Sequence, residues 1–260
     1  MNTQSKHIYF ASDFHLGVDT PKESSKEREL KIIRWLDFIQ PSCEALYLLG
    51  DVFDYWFEYK KVIPKGNVRF LARLAQFTDA GIPIHIFTGN HDMWIADYLE
   101  KEIGLQIHRD PIEITLQSLH FILGHGDGLG PGDQGYKFIK KIFRNRFNQW
   151  LFARLHPNFG IRLMQFFSGK SRAYDKEDHS FTNPEKEWLV QFCEEQIKNK
   201  DIDFFIFGHR HLPIDYTLSN KKSRYINLGD MISYNTYAVL DHGKLTLKSY
   251  ENPSVHIFGN

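Results

Sequence analysis

The chain has 260 residues, with 32 Lys and Arg against 32 Asp and Glu, 42% hydrophobic residues and 15% aromatics. That balance excludes a disordered chain and a nucleic-acid binder held by its overall charge. Two cysteines, Cys43 and Cys193, exclude a disulfide scaffold and fit a reducing compartment.

In chain order, the start MNTQSKHIYF lacks the apolar h-region of a secretory signal, and no uncharged apolar run approaches the ~18 residues of a spanning helix. A cytoplasmic protein that meets membrane only from the surface is expected. Short apolar runs, rich in aromatic or β-branched residues, read as buried strands at Ile8–Ala11, Ala45–Leu49, Ile84–Thr88, Phe121–Leu123, Phe204–Phe207 and Tyr225–Leu228. Between them, Glu27–Ile39 is predicted helical, with Leu30, Ile33 and Leu36 inward and Asp37 outward. Val68–Ala80 is a second helix, with Leu71, Leu74 and Ala75 inward and Gly81 as C-cap. Asn183-Pro184 is read as the start of a third, followed by Trp188, Phe192 and Ile197. From Tyr225 onward the chain is mostly strand-like, suggesting an antiparallel continuation. Alternating strands and helices predict an α/β fold with some parallel sheet. No internal repeat or low-complexity segment interrupts it.

Residues 134–174 differ from the rest. They hold nine Lys or Arg, ten aromatics and no Asp or Glu. Ile139, Phe143, Phe147 and Trp150 recur at helical spacing, as do Ile161, Met164 and Phe167. The segment reads as two amphipathic helices joined near His156-Pro157-Asn158, inserted into the α/β unit. Apolar faces of this kind can bury acyl chains, and its cations favour an anionic lipid surface. A plain helical pair packed on the core, or a surface for single-stranded nucleic acid, are the other readings of this composition.

The residues just beyond each strand carry the chemistry. The runs end in Asp13-Phe14-His15, in Gly50-Asp51-Val52-Phe53-Asp54, in Gly89-Asn90-His91-Asp92, in Gly124-His125-Gly126-Asp127 and in Gly208-His209-Arg210-His211. In open α/β sheets, ligands bind beyond the carboxyl ends of the strands, and glycine beside a ligand allows a sharp turn and close approach. Asp13, His15, Asp51, Asn90, His125, His209 and His211 are therefore candidate metal ligands. Imidazole and carboxylate without thiolate suit Mn²⁺, Fe²⁺ or Zn²⁺. Seven ligands exceed one four-coordinate ion but suit two ions about 3.5–4 Å apart with one bridging carboxylate. Such a pair activates water and clamps both the attacking and leaving oxygens of a displacement at phosphorus. Asp54 and Asp92 are read either as orienters of ligands or as loop caps, and Asp127 and Asp230 as turn residues. The remaining histidines read as surface or core.

These five blocks, D-x-H, G-D-x-x-D, G-N-H-D, G-H and G-H-x-H, resemble those of the calcineurin-like metallophosphoesterases. The resemblance implies a layered β-sandwich flanked by helices, forming one domain over 1–260. Asp13, His15, Asp51 and His211 would hold one ion, and Asp51, Asn90, His125 and His209 the other. The stretches F-A-S-D-F-H-L-G, L-Y-L-L-G-D-V-F-D-Y-W and H-G-D-G-L-G-P-G-D-Q-G-Y further resemble the UDP-2,3-diacylglucosamine diphosphatases. That family splits a sugar-nucleotide pyrophosphate into UMP and 2,3-diacylglucosamine 1-phosphate in lipid A biosynthesis, usually with Mn²⁺. The similarity runs from about residue 7 to 230. It implies a helical lid over 129–180 that holds acyl chains, and a protein peripheral on the cytoplasmic face of the inner membrane. Nucleic acid and an obligate protein partner are not expected. Carried over by position, Asp133 and Tyr136 match the family's contacts to glucosamine and its phosphate, and Ser171 and Lys176 lie near two more.

Asn90, His91 and His209 are also substrate contacts by the same resemblance, and Asp51, His91 and His209 are the catalytic candidates. His91 departs from the family, whose best-known members have Arg there. Arginine neutralises the charge of a sugar-phosphate leaving group, whereas His supplies the proton an alkoxide needs. The expectation is that His91 stabilises the transition state with Asp92 orienting its ring. Two other functions stand beside this one. The first is a phosphoesterase acting on nucleotides or nucleic acid, and the second is a metal-free protein-binding scaffold, which retention of all seven ligands argues against.

Overall fold

The computed structural model describes residues 6–132, 134–174 and 180–259, without the side chains of 170–174. In chain order its main helices and strands are β1 (His7–Ala11), α1 (Ser25–Ile39), β2 (Cys43–Leu49), α2 (Val68–Asp79), β3 (Ile84–Phe87), β4 (Gln106–His108), β5 (Ile112–Leu116), β6 (Leu119–Leu123), α3 (Gln134–Arg144), α4 (Arg146–Phe152), α5 (Pro157–Tyr174), α6 (Trp188–Gln196), β7 (Phe204–Phe207), β8 (Pro213–Thr217), β9 (Arg224–Leu228), β10 (Thr236–Asp241) and β11 (Lys244–Ser249).

The strands form two sheets, in the orders β11-β10-β1-β2-β3-β4 and β5-β6-β7-β9-β8. β1 to β4 run parallel in the first, and β6, β7 and β9 run parallel in the second. The other pairings are antiparallel. Alternation along each strand builds three apolar layers. Ile8, Phe10, Tyr47 and Leu49 meet Phe121, Leu123, Ile206 and Ile226 between the sheets. Tyr9, Ala11, Leu46 and Leu48 face α1 and α2 on one outer side, and Phe205, Phe207 and Tyr225 face α6 on the other. Strands buried on both faces are why the sequence runs were apolar without alternation.

Several local expectations are corrected. Helix α1 buries Ile32, Trp35, Leu36 and Ile39, while Leu30 is exposed. The predicted stripe took every third residue and missed Trp35, the bulkiest apolar side chain on the helix. A capping box between Ser24 and Glu27 starts α1. In α2, Leu74 is buried as expected, but with Phe70 and Phe77. Asn183 does not cap a helix. Pro184–Lys186 forms one 3₁₀ turn, and α6 begins at Trp188 after the extended Glu187, burying Leu189, Val190 and Cys193. The inserted segment is three helices rather than two, because the Asn145 side chain accepts from the Phe147 and Asn148 amides and starts α4. Both cysteines are buried and free.

Candidate active site

Because β1, β2 and β3 run parallel in one sheet and β6, β7 and β9 in the other, their carboxyl ends lie along one edge of the sandwich. The seven candidate ligands come together there. Asp13, His15, Asp51 and His125 are buried. Asp13, His15, Asp51, His209 and His211 all have positive φ, between 45° and 69°. Non-glycine residues rarely adopt this conformation, at a cost of about 1–3 kcal/mol each. Five such residues at one place show that the fold spends stability on aiming these side chains. The neighbouring glycines make room: a Cβ at Gly89 would collide with the Asp51 carboxylate, and one at Gly208 would lie 2.5 Å from Asp13 Oδ2.

The ligand atoms form one continuous cluster. His211 Nε2 lies 3.4 Å from Asp13 Oδ1 and 3.3 Å from His15 Nε2. Asp51 Oδ2 lies 3.7 Å from His15 Nε2 and 3.3 Å from His125 Nε2, so one oxygen faces both halves. Asn90 Oδ1 lies 3.1 Å from both His125 Nε2 and His209 Nδ1. Asp13, His15 and His211 form one group with metal-binding spacing, and Asp13, Asp51 and His125 form another. A third, His15, Asp54 and His91, shares His15 with the first.

The outer nitrogens explain the aim of the inner ones. His125 Nδ1 donates to the Leu49 carbonyl at 2.8 Å, His15 Nδ1 to Asp54 at 3.3 Å and His211 Nδ1 to Asp230 at 3.4 Å. With Nδ1 carrying the proton, each neutral ring turns an Nε2 lone pair inward. Two such lone pairs facing each other, as in His15 and His211, need a shared proton or a cation between them. The donor set thus fits divalent metal.

The charges agree. Burial would raise the Asp51 carboxyl, but His125, His91 and His15 together hold it well below the usual carboxylate range. Burial acts to lower His125 and His211, yet Asp51 pushes the first up to about 10, and Asp13 with Asp230 pushes the second up to about 9. Burial wins at His15, which is lowered, and at His209, lowered to about 3. Carboxylates that draw protons onto ligand rings draw divalent cations for the same reason, and the two compete.

The structure decides the roles of three acids, and for Asp92 it takes the loop-cap reading over the orienting one. Asp92 does not orient His91: it is fully buried and accepts from the Gly89, Val52 and Phe53 amides at 2.7, 2.9 and 3.3 Å. It ties the loop after β2 to the loop after β3. Burial and the nearby Asp51 push Asp92 up to about 7. Asp230 is more than a turn residue, because it also orients His211. It follows Gly229 at the end of β9, a sixth strand end of the same Gly-Asp form as Gly50-Asp51. Asp127 is buried and accepts from the Tyr136 hydroxyl and Lys140 Nζ, each at 2.5 Å. Asp54 proves to be an orienter, of His15. His91 Nδ1 instead faces Ser168 Oγ at 2.9 Å, from α5, a contact no sequence signal marked. Of the residues carried over by resemblance, Tyr136 stands on α3 beside Asp127. Asp133, Lys176 and the side chain of Ser171 lie outside the described residues.

Two surfaces flank the cluster. On the His91 side, Tyr55, Phe57 and Trp94 pack against Phe143, Phe152, Ile161 and Met164 of the inserted helices. On the His125 side lies a cavity of about 360 Å³, whose walls carry Arg109, Lys137, Lys140, Lys141 and Arg144 against Asp110 and Asp127. The predicted stripes are split between two faces: Phe143, Ile161 and Met164 point inward, whereas Ile139, Phe147, Trp150 and Phe167 are exposed. Nine of the fourteen exposed large apolar side chains among the described residues belong to α3–α5. No helix of the described residues is long and apolar enough to cross a membrane.

This architecture, two packed sheets with His, Asp and Asn converging from their strand ends, is that of a metal-dependent phosphoesterase. The chain belongs to the calcineurin-like phosphoesterase family, whose model matches residues 6–213. Within it, the chain is 40% identical to the UDP-2,3-diacylglucosamine hydrolase of Porphyromonas gingivalis, over 94% of this chain and 98% of that protein. It is 27% identical to the enzyme of the same name from Aeromonas salmonicida, over 96% of each. A third of that name, from Haemophilus influenzae, is 30% identical over 79% of this chain and 83% of its own length.

Proposed function

We propose that the protein hydrolyses the pyrophosphate of UDP-2,3-diacylglucosamine to UMP and 2,3-diacylglucosamine 1-phosphate, in lipid A biosynthesis. The observation that carries this reading is the near full-length similarity to the P. gingivalis hydrolase, joined to a site with one apolar and one cationic flank. Asp13, His15, Asp51 and His211 would hold one divalent ion, and Asp51, Asn90, His125 and His209 the second. The resemblance favours Mn²⁺, which a donor set of imidazole, carboxylate and amide oxygen admits beside Fe²⁺ and Zn²⁺. When bound, such a pair activates water at neutral pH and offsets charge on phosphoryl oxygens.

The protein's own groups do the rest. The substrate has an apolar, diacylated half and an anionic nucleotide half. The inserted helices α3–α5, read as a lid spanning 129–180, offer the first a buried apolar base and exposed aromatics. The cavity beside His125 offers phosphate-bearing groups five cations, of which Lys140 and Arg144 are paired with Asp127 and Asp110. His91 faces the metal cluster from the lid side, and a proton taken up on its Nε2 would let it neutralise charge on the sugar-phosphate leaving group. His209, held neutral by burial, can donate one hydrogen bond there but no charge. Asp133, Tyr136, Ser171 and Lys176 remain candidates for headgroup contacts. Exposed Phe138, Phe147 and Trp150 beside the cations of α3–α5 suit the anionic inner leaflet, which makes the protein peripheral there.

The test is turnover of UDP-2,3-diacylglucosamine with added Mn²⁺, scoring UMP. Release by the wild type and none by Asp51→Ala is expected. No UMP, with bis(p-nitrophenyl) phosphate still cleaved, would keep the phosphoesterase and reject the lipid substrate.

A further inference from the structure

Ser168 sits on α5, buried against the loops that follow β2 and β3. Its hydroxyl donates to Asp54 Oδ2 at 2.8 Å. Asp54 uses its other oxygen, Oδ1, for His15 Nδ1 at 3.3 Å. An ionised carboxylate only accepts, so the single hydroxyl proton of Ser168 points at Asp54. What remains on Ser168 Oγ is a lone pair, and His91 Nδ1 lies 2.9 Å from it. The other groups nearest that nitrogen are the Asp54 carbonyl at 3.2 Å and Asp54 Oδ1 at 3.6 Å, both acceptors. His91 Nδ1 must therefore carry the hydrogen. Its Nε2 is left for the metal cluster, where the His91 ring meets that of His15 edge-on at 4.7 Å between centroids.

We propose that Ser168 is a positioning residue through which the inserted helices fix the tautomer and seat of His91. This rests on the reading of His91 as the group that faces the leaving phosphate. The His91-Ser168-Asp54-His15 chain runs from a helix of the insertion to a metal ligand. A second tie, from Trp94 Nε1 to the Phe143 carbonyl at 2.7 Å, anchors α3 to the segment that carries His91. Docking of the insertion and readiness of the site are then one event. An enzyme with Arg in place of His91 has no tautomer to set, so the serine answers a need created by this chain's departure from its family.

Three measurements test this. Ser168→Ala should lower kcat about 10- to 100-fold with KM within about twofold, and Ser168→Thr, which keeps the hydroxyl, should restore most of it. In a His91→Ala background, Ser168→Ala should have little further effect. In the full chain loaded with diamagnetic Mg²⁺ and labelled with ¹⁵N-histidine, His91 should show a single Nδ1–H pattern that becomes mixed in Ser168→Ala. A serine that merely packs the helix would raise KM, act additively with His91→Ala and leave that spectrum unchanged; any of these results would overturn the role. If the sugar nucleotide is not turned over, the same cycle runs on bis(p-nitrophenyl) phosphate, and the spectrum needs no substrate. Failure of the substrate assignment is thereby distinguished from failure of this one.

Discussion

Asp92 gives the sharpest structural prediction. Its carboxylate is fully buried and accepts three backbone N–H groups, two from the loop that carries Asp51 and one from the loop that carries Asn90. Asp92→Ala leaves those donors without a partner where water does not reach. Each buried orphan costs about 1–3 kcal/mol. With two short bonds and one long, the expected loss is about 4 kcal/mol, a large share of the roughly 5–15 kcal/mol that stabilises a domain. Asp92→Asn should be nearly as harmful, since its NH₂ must face a backbone N–H at one of the two loops. The assay is urea unfolding of both variants, with and without Mn²⁺, read as the shift in midpoint at unchanged slope. If Asp92 only oriented the His91 ring, both variants would unfold within about 1 kcal/mol of wild type and lose turnover alone. That result would refute the clamp.

Gly208→Ala should abolish loading of the first ion, because the added methyl occupies the Asp13 carboxylate's place; metal content by mass spectrometry should fall below that of wild type while the fold persists. His85, stacked on Tyr47 at 4.3 Å and 3.0 Å from His108, is lowered to about 4 by burial. Its ring is neutral in the folded protein, so acid protonates the unfolded chain first. Its contribution is intact above the unfolded value of 6.5 and is lost as pH falls towards 4, by well under about 3 kcal/mol because water screens a part-buried ring; His85→Phe should flatten that part of the stability–pH curve. Phe147→Glu with Trp150→Glu should weaken co-sedimentation with anionic vesicles about tenfold or more, since each exposed aromatic has about 1–2 kcal/mol to gain on burial. Unchanged sedimentation would assign this face elsewhere.

The convergence of the candidate ligands was legible because they sit at strand ends, Asp51, Asn90, His125 and His209 beside a glycine, where residue type and local order coincide. Five chain segments each announced themselves, and parallel strands did the assembly. The features that stayed hidden depend on contacts between distant segments. Asp92 and Asp54 are both acids following a ligand, and only the third dimension shows that one clamps amides while the other orients His15. Ser168 looks like any helix serine. The stripe of α1 was misphased because Leu30 and Ile33 are as apolar as Ile32 and Trp35, and neighbours alone decide which side is inside. In α3–α5 the apolar residues exceed one face, so periodicity gave no single answer: Phe143, Ile161 and Met164 turned inward, and Phe147 and Trp150 outward.

The most direct test of the account is a side-by-side measurement of kcat/KM for UDP-2,3-diacylglucosamine and for its unacylated counterpart, in the presence of Mn²⁺. An apolar flank built for acyl chains predicts a preference for the acylated substrate of about 100-fold or more, given roughly 0.8 kcal/mol for each methylene buried. Equal values for the two would contradict the lipid assignment, leaving a phosphoesterase whose inserted helices serve another purpose.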